Sequence, residues 1–279
     1  MVSPVSPNGF RSALVLGGGG PVGISWMAGL AVGLREQGVD LGRADRFVGT
    51  SAGAVVGAVL AGDGDIARLL NPPRRGAAPV RADLGRVSEI FGILAAQGPD
   101  PRPARRRVGE LALAAGAGDP ADHVERMLAL VGQSQWPPGD LLITSIDIGT
   151  GDLRVWTRTG AASLPQALAA STAVPGVFPP IPIDGGTYID GGIRSAINAD
   201  LASGADLVVI VEPLAHMFPR TATDGELGAA TVVSLAPDAE AVAAFGPDVF
   251  DPAVLVPAYQ AGVRQSVTAA TVLTDVWPA

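Results

Sequence analysis

Between Arg11 and Arg35 no residue carries a charge, and the run from Ser12 to Leu34 has the length and apolar character of a membrane-spanning helix. Four consecutive glycines, Gly17 to Gly20, and Pro21 stand in its middle. A spanning helix does not carry such an interruption, so the run divides into a strand, a turn and a helix. Ser12-Ala-Leu-Val-Leu16 reads as a buried parallel strand. Pro21 suits a first helical turn, and Val22, Trp26, Met27, Leu30, Ala31 and Leu34 recur at helical spacing until Gly38. A second unit repeats the plan: Arg46-Phe-Val-Gly49, a turn at Ser51, then a small-residue helix from Ala52 to Ala61. Successive units of this kind imply a parallel sheet with helices packed on it. With Arg11 the only cation ahead of it, the same run is a poor secretory leader. A cytoplasmic chain with a flexible start over residues 1–9 is expected.

Farther along, Asp140 to Asp147 and Leu153 to Trp156 read as a β-hairpin, Leu164 to Thr172 as a short helix, and Asp206 to Val211 and Thr231 to Leu235 as strands. Pro252 to Thr274 is helical in pattern. Residues 71–119 differ, being rich in proline, glycine and arginine around a helical piece from Val87 to Ala96. They read as a cap insertion, partly mobile, whose arginines form a solvated face or meet anionic headgroups. No linker and no internal repeat divides the chain, so one α/β domain over residues 1–279 is expected.

The chemistry is bounded by what the composition omits. There is no cysteine, hence no thiolate nucleophile, disulfide or zinc-thiolate site. All 19 cations are arginine, which removes a P-loop lysine, a Schiff base and a Ser-Lys dyad. A net charge of −8 argues against a broad nucleic-acid face. The only imidazoles are His123 and His216, too few for a histidine-rich metal centre. Neither a metal nor a cofactor is called for.

Three motifs remain. The loop Gly17 to Gly23 joins a strand to a helix, where unpaired amides attract negative charge. Gly18, Gly20 and Gly23 also satisfy a GxGxxG dinucleotide fingerprint, with Asp40 at the distance of its acidic partner. Oxyanion hole, nucleotide loop and plain turn are therefore all open. Gly49-Thr-Ser-Ala-Gly53, between a strand and a helix, has the context of a GxSxG nucleophile elbow, with Ser51 exposed at the sheet edge. A serine needs a base. His123 reads as a solvated residue of a surface helix, and His216, after a strand, is a reserve candidate. Asp190, in Tyr188-Ile-Asp-Gly-Gly192, stands after an apolar segment and before two glycines that permit close approach. Asp184-Gly-Gly186 is the decoy, a turn of the same composition.

Taken together these residues resemble the patatin-like phospholipases, lipid acyl hydrolases with a Ser-Asp dyad. The ordered match consists of a GGGxxG loop at Gly18 to Gly23, GxSxG at Gly49 to Gly53 and DGG at Asp190 to Gly192, with Ala170 to Pro180 similar to the segment ahead of the catalytic aspartate. The resemblance implies a three-layer α/β fold with a central, mostly parallel sheet. It implies hydrolysis of fatty acyl esters in phospholipids, lysophospholipids or related lipids through an acyl-enzyme. Ser51 would be the nucleophile, Asp190 its base, and Gly18, Gly19 and Gly20 the oxyanion hole, supported by Gly23, Gly49, Gly53, Gly191 and Gly192. The expected partner is a lipid, met in the cytoplasm or at a membrane surface. Val22 departs from the pattern, since the family often has a cation there. Two alternatives stay in view: a serine acyltransferase or hydrolase using His216, and a nucleotide- or lipid-binding module without turnover.

Overall fold

A computed structural model describes residues 10–62, 64–70, 84–228 and 230–278. The strands are β1 (Ser12–Leu16), β2 (Arg46–Gly49), β3 (Asp140–Asp147), β4 (Leu153–Trp156), β5 (Ile181–Ile183), β6 (Gly186–Asp190), β7 (Leu207–Val211) and β8 (Thr231–Leu235). The α-helices are α1 (Gly20–Glu36), α2 (Ala52–Leu60), α3 (Leu84–Ala95), α4 (Arg102–Ala114), α5 (Pro120–Val131), α6 (Leu164–Ser171), α7 (Ala239–Phe245) and α8 (Leu255–Leu273). Among the described residues all eight strands join one sheet in the order β5-β6-β3-β2-β1-β7-β8, with β4 also on β3. From β3 to β8 the neighbours are parallel, whereas β4 and β6 run antiparallel to β3. The fold is thus a mixed, mostly parallel α/β sheet flanked by helices.

Every residue of β1 and β7 is buried, as expected of parallel strands covered on both faces. On one face Leu14, Leu16, Phe47 and Ile143 meet the apolar stripes of α1, α2, α6 and α8. On the other, Ala13, Val15, Val48 and Val208 pack on the segment around Ile197 and Ala199. The tail helix α8 lies along α1 through a seam of small residues. A Cβ on Gly29 would run into the Tyr259 carbonyl, and one on Gly262 into that of Trp26.

Of the expected insertion over 71–119, residues 71–83 lie outside the described set. In the remainder Arg102, Arg106 and Arg107 are exposed, the solvated face expected of the arginine run. Residues 102–114 form the regular helix α4, whose Val108 and Ala112 pack with Ile146 and Ile189 of the sheet. The physical reason is spacing: Arg105, Val108 and Ala112 fall on one helical face, so an arginine-rich segment still has an apolar stripe to bury. The Asp184-Gly185 pair makes the two-residue β5–β6 hairpin turn, with φ of 47° and 78°. Asp184-Gly-Gly186 is thus the turn its composition indicated.

Candidate active site

β2 ends at Gly49 and the chain turns sharply into α2. The turn is completed by Thr50 N–H donating to the Leu16 carbonyl (3.0 Å) and Gly53 N–H to that of Thr50 (2.9 Å). Ser51 sits at its apex with φ 53° and ψ −118°, a conformation L residues rarely adopt and one that persists only where the surroundings enforce it. Part of that enforcement is the Ser171 hydroxyl at the end of α6, which accepts the Ser51 N–H at 2.9 Å. The two motif glycines are steric. A Cβ on Gly53 would collide with the Leu16 carbonyl, and one on Gly49 would lie 2.5 Å from the Ala54 Cα.

Asp190 arrives at the same place from 139 positions away (190 − 51). The register explains how. Gly49, the last residue of β2, pairs with Ile143, and Asp190, the last residue of the oppositely directed β6, pairs with Ser145. Ser145 also pairs with Arg154 and Ile143 with Trp156, so β4 fills one edge of β3 while β2 and β6 share the other. The two strands therefore end head to head across Thr144, each delivering its terminal loop to one point. There the Asp190 carboxylate accepts the Gly192 N–H at 2.7 Å, and the Ser51 side chain lies close enough to favour its ionised form. Asp190 is only 5% exposed. Burial raises its carboxyl to about 6, against the opposing pull of the hydrogen bonds from Ser51 and Gly192.

The glycine loop packs beside this pair, a Cβ on Gly18 falling 3.7 Å from that of Ser51. Its amides divide into two sets. Gly17 N–H donates to Val211 (2.9 Å) and Gly18 N–H to Ala196 (2.8 Å), so both are spent on holding the loop. This corrects the expectation that Gly18 is an oxyanion donor. Gly19 and Gly20, at the N-terminus of α1, donate to no group among the described residues, and neither does Ala52 at the N-terminus of α2. Those three amides are free to meet an anion. Gly20 has φ +58° and faces the Val249 carbonyl, while a Cβ on Gly19 would lie 2.8 Å from the Gly23 Cα and 2.9 Å from the Pro213 Cβ. Gly23 itself faces Pro213. Val22, where the family resemblance leads one to expect a cation, is buried in the core at 1% exposure.

The other candidates are elsewhere. His216 is exposed, with Phe245 as its ring neighbour at 6.3 Å, and it makes no hydrogen bond among the described residues. His123 corrects the reading of a solvated surface residue. It is 2% exposed, its Nε2 bonds the Thr172 hydroxyl at 2.9 Å, and its ring stacks on Phe178 at 4.2 Å. Burial and the Arg126 charge lower it to about 3, so the ring is neutral at physiological pH. Surrounding charged residues made the α5 segment look solvated, but one face of it packs on α6. Asp40 caps a turn through Gly42 N–H (3.0 Å) and meets Arg35 (3.2 Å), which occupies the acidic residue a dinucleotide site would require.

Several supporting residues escaped the motif reading. Ser171 had a signal, since it lies in the Ala170 to Pro180 segment. Thr50 stood in the GxSxG motif only as an unspecified position, and Thr144 and Asn198 had no signal: all three are polar residues with no exposure at all, joined only by the fold.

The model of the patatin-like phospholipase family matches residues 14–203. Among solved structures, the chain is similar to VipD from Legionella pneumophila at 16% identity with a TM-score of 0.47, covering 94% of this chain and 67% of that one. It is similar to the type III effector protein ExoU at 20% identity with a TM-score of 0.38, covering 97% of this chain and 54% of that one. The chain thus spans about two thirds of the first and about half of the second. The family match takes in the glycine loop, the serine elbow and the Asp-Gly-Gly turn, and on that ground the chain belongs to the patatin-like phospholipase family.

Proposed function

We propose that the chain, acting as one catalytic unit, hydrolyses fatty acyl ester bonds of phospholipids, lysophospholipids or related lipids with Ser51 as nucleophile and Asp190 as base. The observation that carries this reading is the head-to-head ending of β2 and β6, which brings Ser51 to a buried carboxylate whose ionised form its side chain favours. Asp190 takes the Ser51 proton as the oxygen attacks the ester carbonyl, and the tetrahedral oxyanion turns toward the free amides of Gly19 and Gly20. Collapse expels the alcohol, which leaves with the proton held by Asp190. Water then attacks the acyl-enzyme with Asp190 again accepting the proton, and collapse returns that proton to the Ser51 oxygen as the fatty acid departs. Donors of this type each contribute about 3–4 kcal/mol. An aspartate of ordinary acidity is a weak base at neutral pH, so the desolvation that raises Asp190 improves its match to the proton it must accept. Such a reaction suits the cytoplasm or the periphery of a membrane. Among the described residues no helix is long and apolar enough to cross one.

Two measurements test this. An alkyl fluorophosphonate should label the wild-type protein at Ser51 and leave Ser51→Ala unlabelled. Resistance of the wild type both to the probe and to turnover of short p-nitrophenyl esters would end the enzyme reading. The second concerns pH. Asp190 acts only when ionised and its carboxyl is raised to about 6, so kcat/KM should be half-maximal near that pH, falling below it and level above it. An acid limb lying near pH 4 instead would mean that no buried carboxylate governs the reaction.

A further inference from the structure

We infer that Asn198 is a positioning residue that sets the geometry of the dyad, tying the residue ahead of the nucleophile to the residue behind the base. The inference rests on the Ser51–Asp190 reading above and assigns a role to a residue outside its motifs. Asn198 has no exposure and lies in the left-handed region at φ 49° and ψ 46°. Its carboxamide orientation is dictated by chemistry. Arg194 Nη1 donates to Oδ1 at 2.7 Å, so the oxygen faces the cation and the NH2 group must point the other way. That NH2 meets three oxygens: the Thr50 hydroxyl at 3.0 Å, the Gly191 carbonyl at 3.3 Å and the Ser195 carbonyl at 2.8 Å. One nitrogen therefore holds the chain immediately before Ser51 and the chain immediately after Asp190.

The groups around it are built to keep that nitrogen still. The Asn198 N–H donates to the Ser195 hydroxyl (3.0 Å), which donates to the fully buried Asp224 carboxylate (2.8 Å). Arg194 is braced by Asp200 at 2.8 Å. On the far side, the Thr50 hydroxyl lies 3.0 Å from that of Thr144, and Thr144 reaches the Gly49 carbonyl at 3.3 Å. Thr144 is the residue across which β2 and β6 end, so the clamp closes over the gap between the two strand ends. No covalent link or continuous ladder spans that gap. A buried amide with every polar atom engaged is a physical means of fixing its width, and a displacement of about 1 Å at such a site costs on the order of 100-fold in rate.

The test uses two substitutions. Asn198→Gly retains the left-handed backbone and removes the carboxamide. Thr50→Val severs the same contact from its other end with little change of volume. Each should lower kcat about 10- to 100-fold with KM within about twofold. The acid limb should move above its wild-type position, because a loosened Ser51 no longer stabilises the Asp190 carboxylate. The double variant should lose no more than the worse single one, since both cut one link. A residue that only maintained the fold would shift the melting temperature without moving the acid limb.

A titration of the Asp190 carboxyl by 13C NMR supplies a readout independent of turnover. If the wild type hydrolyses no ester yet this titration moves upward in both variants, the hydrolase reading fails and the clamp stands. If the wild type is active and folded Asn198→Gly and Thr50→Val both match it in kcat and titration, the clamp is overturned and the hydrolase reading stands.

Discussion

Asp190→Asn is expected to lower kcat by a factor of about 10² to 10⁴ while leaving a protein more stable than the wild type above pH 7. The catalytic loss follows from basicity: an amide cannot take the Ser51 proton, although its oxygen can still accept the Gly192 N–H. The gain in stability follows from linkage. The carboxyl is raised in the folded state to about 6 from an ordinary 3.8, so the folded protein binds this proton more tightly than the unfolded chain does. A group raised in this way supports folding below its unfolded pKa and withdraws that support as pH climbs through the folded value. Keeping Asp190 ionised at neutral pH thus costs roughly 3 kcal/mol, and the neutral asparagine avoids it. Denaturant midpoints should show Asp190→Asn more stable by about 1–3 kcal/mol at pH 8, the difference vanishing below about pH 4. His216→Ala provides the contrast, with kcat within about twofold of wild type. If His216→Ala were the inactive variant and Asp190→Asn the active one, the base would be the histidine.

Gly53→Ala is expected to destabilise the fold by at least about 3 kcal/mol or to prevent soluble accumulation. A methyl group there would occupy the space of the Leu16 carbonyl and lie 2.8 Å from that of Gly17, and both are backbone atoms that β1 holds in place. Relief requires moving α2 away from the sheet, which would also pull Ser51 from Asp190. Gly57→Ala, one helical turn along, is the internal control. Its methyl would meet only the ends of Leu16 and Leu141 side chains at 3.3 Å, and alanine favours the helix by about 1 kcal/mol. Its stability should stay within about 1 kcal/mol of wild type. Equal denaturation midpoints for the two variants would show that the elbow is not packed backbone to backbone as described.

The sequence and the structure agree where the signal is local. Pro21 and the apolar spacing after it are helical information, and α1 forms where they indicate. β1, β2 and β7 carry near-continuous apolar runs, which is how strands buried on both faces read. The turn at Asp184-Gly185 needs residues that accept positive φ, and those are the residues present. Agreement fails where burial depends on a partner distant in the chain. His123 is surrounded in sequence by charged residues, yet α6 and Phe178 enclose it. The arginines of 102–107 read as a solvated face and Arg102, Arg106 and Arg107 are exposed, but nothing local shows that Val108 and Ala112 of the same helix are buried against the sheet. β5 is too short to announce itself, and it exists because β6 is beside it.

The same division holds within the site. Which side chains meet at the proposed site was legible from the sequence alone, because a strained strand-to-helix elbow, a strand-to-helix glycine loop and an Asp-Gly-Gly turn each require particular small residues at fixed offsets. Which amides remain free was not legible. Gly18 and Gly19 are equivalent as letters, and only the position of Ala196 decides that one donates to the protein and the other does not. Nor could spacing show that Asn198 spans the two catalytic loops, since hydrogen bonding is decided by distances of a few ångströms between residues more than a hundred positions apart. Local backbone constraint is written in the chain; the pairing of buried polar atoms exists only once the sheet has brought them together.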